Sequence, residues 1–145
     1  MIELPIALLR WHEVAETREP HLLEALLAED CVFRSPAVHA PQEGKALSTA
    51  YLVAALHVLG PTLTYQHEWW DDQSAVLEFE AELDGLTVHG VDMLRWGDDG
   101  LITQFTVMVR PFKGLTTLMT AMASQLEQAA GDRQDAPPAG LEPAT

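Results

Sequence analysis

The hydrophobic pattern of this chain changes period at Gly60-Pro61, and that switch limits the fold more than any other feature. Ahead of it the apolar residues recur at helical spacing. Leu4, Leu8, Trp11 and Ala15 stand at i, i+4, i+7 and i+11, one stripe of a first helix that ends before Pro20. Leu23, Leu26 and Leu27 make the inner face of a second, shorter helix, with Pro20 suited to its first turn and Asp30 closing it. Leu47, Tyr51, Ala54 and Val58 mark a third helix that starts at Lys45 and stops at Gly60-Pro61.

Beyond the switch, residues 62–112 alternate apolar and polar side chains between turn signals, the mark of an antiparallel sheet with one wet or partner-facing side. Ala75, Leu77, Phe79, Ala81 and Leu83 alternate with Glu78, Glu80 and Glu82 in the clearest strand. Asp84-Gly85 and Asp98-Asp99-Gly100 are hairpin signals on either side of Leu86–Trp96, with a further strand over 101–110. Residues 62–70 form a fourth strand. Residues 31–34 read as a short marginal strand, stopped by Ser35-Pro36 because proline has no amide to donate. After Pro111 and Gly114, Leu115, Leu118, Met119, Met122 and Leu126 share one stripe of a last helix. Helices first and a curling sheet second exclude a doubly wound fold, so the class is α+β. One domain is expected over 1–130, with a loose, proline-containing tail over 131–145.

A chain of 145 residues has the size of a single domain. No apolar run reaches the roughly 18 to 20 residues of a membrane span, and the opening Met1-Ile2-Glu3-Leu4-Pro5 lacks the basic start and apolar stretch of a secretory signal. A soluble, cytoplasmic protein is expected. The formal charge of −14 repels nucleic acid and anionic lipid alike, so neither is an expected partner. Cys31 is the single cysteine, which excludes an intrachain disulfide and reads as a buried small hydrophobe.

Among residues able to do chemistry, Asp92 ranks first. Its same-parity neighbours Val88, Gly90, Leu94 and Trp96 are small or apolar, so its carboxyl faces the core and must lose its charge or find a partner. The structural alternative is a carboxyl that bonds a backbone amide or a tryptophan N–H and organises the interior. His39, in the loop after Ser35-Pro36, has the titration range for a general base, although a surface histidine explains it equally well. His57 and His67 are weaker candidates, and His89 has the wrong parity to meet Asp92. No HExxH or paired-histidine spacing points to a metal, and no Gly-x-Ser-x-Gly elbow or glycine-rich phosphate loop points to a triad or a nucleotide cofactor. No cofactor is expected. Trp11, Phe33, Tyr51, Phe79, Phe105 and Met119 are candidates to line an apolar cavity, with core packing as the plainer use of each.

Residues 26–36 (LLAEDCVFRSP), Gly44-Lys45, 90–96 (GVDMLRW) running into Asp99-Gly100-Leu101-Ile102, and Val109-Arg110-Pro111 carry a resemblance to the nuclear transport factor 2-like superfamily. The likeness is to its SnoaL-like polyketide cyclase and ketosteroid isomerase branches, over about nine tenths of the chain. It implies a cone in which N-terminal helices pack on a curved antiparallel sheet around a small-molecule pocket, with a C-terminal helix. It also implies roles. The proton-shuttling carboxylate of the isomerase branch is replaced by Ser35, the place of its first-helix tyrosine looks to be Trp11, and Asp92 matches the acid kept protonated as a hydrogen-bond donor. Ser35 thus joins the expected ligand contacts. The favoured expectation is a non-catalytic protein that binds a small apolar molecule; the alternative is an isomerase, dehydratase or cyclase acting on an apolar carbonyl compound through Asp92 and His39. A homodimer is expected in either case, but not one centred on Glu78, Glu80 and Glu82, whose like charges would be desolvated together. A fully packed cone would exclude a pocket, and a cavity without His39 would exclude the acid–base pair.

Overall fold

The structure, a computed structural model, describes residues 3–135. Two helices, α1 (Ile6–Thr17) and α2 (Pro20–Leu26), lead directly into strand β1 (Leu27–Arg34). A two-residue strand β2 (Gln42–Glu43) and helix α3 (Lys45–Leu59) follow. Then come β3 (Thr64–Trp70), β4 (Ser74–Leu83), β5 (Leu86–Trp96), β6 (Ile102–Arg110) and helix α4 (Phe112–Asp135). The strands make one six-stranded sheet in the order β2-β1-β6-β5-β4-β3, an α+β fold with its helices on one face.

Two expectations about the first third of the chain are corrected. The second helix stops at Leu26, ahead of Asp30, and the strand after it is eight residues long rather than marginal. Leu27, Ala28, Cys31 and Phe33 are buried, so ending the helix early gains a strand whose apolar side chains enter the core. This strand also runs parallel to β6, with Phe33 beside Phe105, while every other pairing is antiparallel. The sheet is therefore mixed, not purely antiparallel.

The meander follows its turn chemistry. Asp84 and Gly85 both hold positive φ, 50° and 77°, the pairing that a tight two-residue hairpin needs to match strand twist. Alternation along β5 buries Val88, Gly90, Asp92, Leu94 and Trp96 and turns Thr87, His89, Val91, Met93 and Arg95 to the other face. The inner face closes over Leu8, Trp11, Leu23, Leu26 and Leu52 from the helices, against Phe33, Leu77, Phe79 and Phe105 from the strands. Helix α4 packs on α3, β5 and β6 through Leu118 and Met122. It continues to Asp135, past the expected boundary at 130; the remaining tail, 136–145, lies outside the described residues.

Strand β3 is an edge strand with an irregularity. Its register against β4 shifts between Tyr65 and His67, so Tyr65 pairs with Phe79 while His67 pairs with Glu78. This bulge moves the side-chain alternation by one place. Tyr65 and Glu68, three residues apart, consequently both reach α1 on the inner side, while His67 faces outward.

Candidate functional site

Asp92 sits in the middle of β5 between Leu77 of β4 and Val107 of β6, 5 % exposed. Besides Ser48 it is the only polar residue buried this deeply among the described residues. Its carboxyl accepts a hydrogen bond from the Tyr65 hydroxyl, Oη to Oδ2 2.6 Å. Tyr65 in turn accepts from the indole Nε1–H of Trp11 at 2.9 Å. A three-member polar chain thus crosses the apolar interior from α1 through β3 to β5.

Burial pushes the Asp92 carboxyl up to about 7, even though donation from Tyr65 pulls the other way. The Tyr65 phenol is held well above its ordinary range, first by burial and then by the charge of Asp92 beside it. Replacing Tyr65 by Phe removes the one contact that favours the carboxylate and should move the Asp92 titration to higher pH still, as read by carboxyl NMR; a downward move would contradict this account.

Around the chain lies a cavity of about 30 Å³, lined by Trp11, Leu52, Ala55, Leu56, Leu59, Leu63, Tyr65, Asp92, Phe105 and Val107. That is room for a water molecule. It is far below the roughly 300 to 1,000 Å³ of an open ligand site. The cone is therefore neither solid nor open. The Trp11 and Phe105 ring centroids lie 4.7 Å apart in an edge-to-face arrangement, and Tyr65 stands at right angles to Phe79 with centroids 6.5 Å apart, so aromatic contacts fix the walls.

The remaining expected contacts distribute unevenly. Trp11 and Phe105 line the cavity; Phe33, Tyr51 and Phe79 belong to the aromatic core next to it. Ser35 stands outside the cavity, its Oγ accepting from the Ala37 amide, and Met119 is 41 % exposed on α4. Both depart from the expected lining, because a serine ahead of a proline turn is used by that turn and the stripe of α4 turns Leu118 rather than Met119 inward. His39 is exposed in its loop and does not line the cavity, so the structure does not bring the expected Asp92–His39 pair together. His89 faces away from Asp92 as its parity requires and meets Glu78, Nε2 to Oε2 2.6 Å. Tyr65, Leu63, Val107 and the α3 residues Leu52, Ala55, Leu56 and Leu59 are the lining residues that sequence reasoning missed.

Beside Tyr65, His12 of α1 and Glu68 of β3 meet at 2.6 Å, with the imidazole edge-on to the Tyr65 ring at 5.6 Å. Together with the Trp11–Tyr65 bond this pair ties α1 to the edge strand. A larger groove of about 570 Å³ runs outside the cone between α2, α3 and α4, with Glu24, Lys45, Thr49 and His57 on its walls. It is bigger, but no buried acid lines it. Among the described residues no three His, Cys, Asp or Glu side chains are grouped to hold a metal ion, and no helix is long and apolar enough to cross a membrane.

A curved mixed sheet covered by four helices, with one buried acid and its phenol partner inside, defines an α+β cone of the cystatin-like kind. The chain belongs to the SnoaL-like domain family, whose model matches residues 8–105. The fold agrees with a crystal structure of a steroid delta-isomerase from Pseudomonas aeruginosa, 36% identical, TM-score 0.81, covering 86% of this chain and 92% of that one. It agrees as well with an uncharacterized protein with a cystatin-like fold from Silicibacter pomeroyi DSS-3, 28% identical, TM-score 0.82, covering 88% and 90%. A de novo designed protein with a curved β-sheet shares the fold alone, at 14% identity and a TM-score of 0.64 over 79% and 94% of the two chains. No curated protein matches the sequence.

Proposed function

We propose that the protein binds a small apolar molecule inside the cone, with the polar atom of that molecule at Asp92. The observation that carries this reading is the Trp11–Tyr65–Asp92 chain, built across an otherwise apolar interior and ending on a cavity. A structural network needs no cavity beside it. Since the space is about 30 Å³, a guest larger than a water molecule requires its apolar lining to move apart. The test is a thermal-shift and native mass-spectrometry series with apolar carbonyl compounds of graded size, on the natural protein and on Asp92→Leu. Stabilisation that depends on Asp92 supports the reading; no shift and no bound mass with any compound rejects it.

A second reading is acid–base isomerisation, dehydration or cyclisation of an apolar carbonyl compound. The 36% identity to a steroid delta-isomerase and a carboxyl poised near 7 favour it. Ser35 and the distant His39 argue against it, because neither supplies a base at Asp92. Double-bond migration in an unsaturated steroid ketone, followed by ultraviolet absorbance and lost in Asp92→Asn, would establish it.

Our reading includes a homodimer and a cytoplasmic location, the latter in keeping with a single buried cysteine and no disulfide to maintain. The outer sheet face has an apolar centre of Val91, Met93 and Met108, with Arg34 and Arg110 towards one side and Glu80 and Glu82 towards the other. A two-fold axis along β5 sets the acidic side of one copy against the arginine side of the second. Met108 is 53 % exposed, and Met108→Glu should leave a monomer by light scattering; a monomeric natural protein, or a dimeric variant, would refute this face.

A further inference from the structure

The outer face of the sheet carries a side-chain cluster that the interior does not use, and it bears on the homodimer proposed above. Glu78 of β4 accepts on both carboxylate oxygens: His67 of β3 meets Oε1 through Nδ1 at 3.2 Å, and His89 of β5 meets Oε2 through Nε2 at 2.6 Å. These bonds, the one from His89 foremost, hold the Glu78 carboxyl below its ordinary range, so it stays ionised near neutral pH. His67 also stacks on Trp69, with ring centroids 6.0 Å apart and planes 25° from parallel. Strand register joins the cluster to the apolar centre of the face. Glu78 stands beside Val91 and Val91 beside Met108, while Trp69 stands beside Val76 and Val76 beside Met93. A second copy seated on Val91, Met93 and Met108 therefore covers Glu78 too, and taking that charge out of water is costly unless a cation accompanies it.

Among the described residues Glu78 has no Lys or Arg partner, only the two imidazole rings. The rings differ as sources of charge. A carboxylate only accepts, so His89 donates from Nε2, and its Nδ1 is sealed from solvent without a partner. A second proton on His89 would bury an N–H with nothing to bond. His67 is free of that penalty, because its side chain is 72 % exposed and Nε2 can carry a proton in water while Nδ1 donates to Glu78. An imidazolium there neutralises Glu78 on one side and lies against the Trp69 ring on the other. The other charged or titratable groups of this face around His67 are Glu80 of β4, His89 of β5 and Arg110 of β6, with Arg95 of β5 acting on Asp71. Glu68, on β3 itself, turns inward to His12.

We infer, resting on the dimer reading above, that joining two copies through this face takes up one proton at His67 of each copy, so that the dimer tightens as pH falls through the imidazole range. The sign follows from linkage: a complex that holds more protons than its separated parts gains as protons become more available. An ordinary imidazole exchanges its proton near 6.5, which sets the window at about pH 8 to pH 6.

Sedimentation equilibrium of the full chain across that window, at one ionic strength, tests this on the natural protein, His67→Gln and Glu78→Gln. The natural dimer should tighten by about tenfold or more from pH 8 to pH 6, as a preference of about one pKa unit per copy requires. His67→Gln removes one of the six histidines, so its dimer should hardly respond to pH although the other rings still titrate. A slope equal to that of the natural protein would mean that falling net charge drives association, and would overturn the inference. Glu78→Gln has no charge to bury and should dimerise more tightly than the natural protein at pH 8; a weaker dimer would count against the mechanism. The His67 ring signals in NMR give a second reading. Their titration midpoint should move to higher pH once the protein concentration exceeds the dissociation constant, and an unmoved midpoint would overturn the inference. A dimer whose affinity ignores pH would reject the inference alone, whereas a monomer at every pH would reject the dimer reading and this inference with it.

Discussion

Asp92→Asn should make the protein more stable at about pH 8, by on the order of 4 kcal/mol, and should flatten its stability between about pH 4 and pH 7. The sign follows from the direction of the shift. In the folded protein the carboxyl keeps its proton up to about 7, whereas an unfolded chain gives it up near the ordinary value of 3.8. Between those values the folded state binds more protons, so the contribution of this group is fully present below the lower value and is lost as pH rises through the upper one. Each pH unit of that window is worth about 1.4 kcal/mol. Asparagine has nearly the same shape, cannot ionise, and offers an oxygen to the Tyr65 hydroxyl in place of Oδ2. Urea midpoints for both proteins across the window provide the check. Parallel curves would mean that Asp92 titrates like an ordinary surface acid and would remove the physical basis of the site.

Gly90→Ala should be the most damaging single-methyl substitution in the sheet, costing about 3 kcal/mol or more. A Cβ at this position would lie 2.3 Å from the Met108 carbonyl oxygen and 2.8 Å from Phe79 Cζ. The first contact is ladder backbone and the second a fully buried ring, so neither neighbour yields by a simple side-chain rotation. The added methyl therefore forces β5 and β6 apart two residues from Asp92. Denaturant unfolding of the variant tests this, and a midpoint equivalent to the natural protein within about 0.5 kcal/mol would show that the sheet has slack at this point.

How much was legible in the sequence depended on whether local pattern and tertiary packing agree. The strands β4 and β5 were readable because strict alternation and an Asp-Gly turn point the same way, and parity alone placed Asp92 inward and His89 outward. Tyr65 escaped because the bulge after it shifts the alternation, so a strand containing Gln66, His67 and Glu68 reads as solvated throughout. Two polar residues in succession between Tyr65 and Glu68 were the available signal. Strand β1 was underestimated because Ala28-Glu29-Asp30 looks like a fraying helix end, and only pairing with β6 turns it into a strand. His39 and Met119 have suitable chemistry for a site, but their orientation depends on a loop path and a helix rotation that no short pattern encodes.

The parallel pairing of β1 with β6 also sets an order of events during synthesis. Phe33 leaves the ribosome roughly seventy residues before Phe105, the neighbour beside which it is finally buried. Until then the chain carries Leu27, Cys31 and Phe33 on a strand without its main companion, which is when a nascent polypeptide is most open to capture by chaperones or by another copy of itself. The late arrival of β6 therefore closes the interior as well as the sheet, and translation halted before residue 102 would leave the cone without the strand on which its N-terminal third depends.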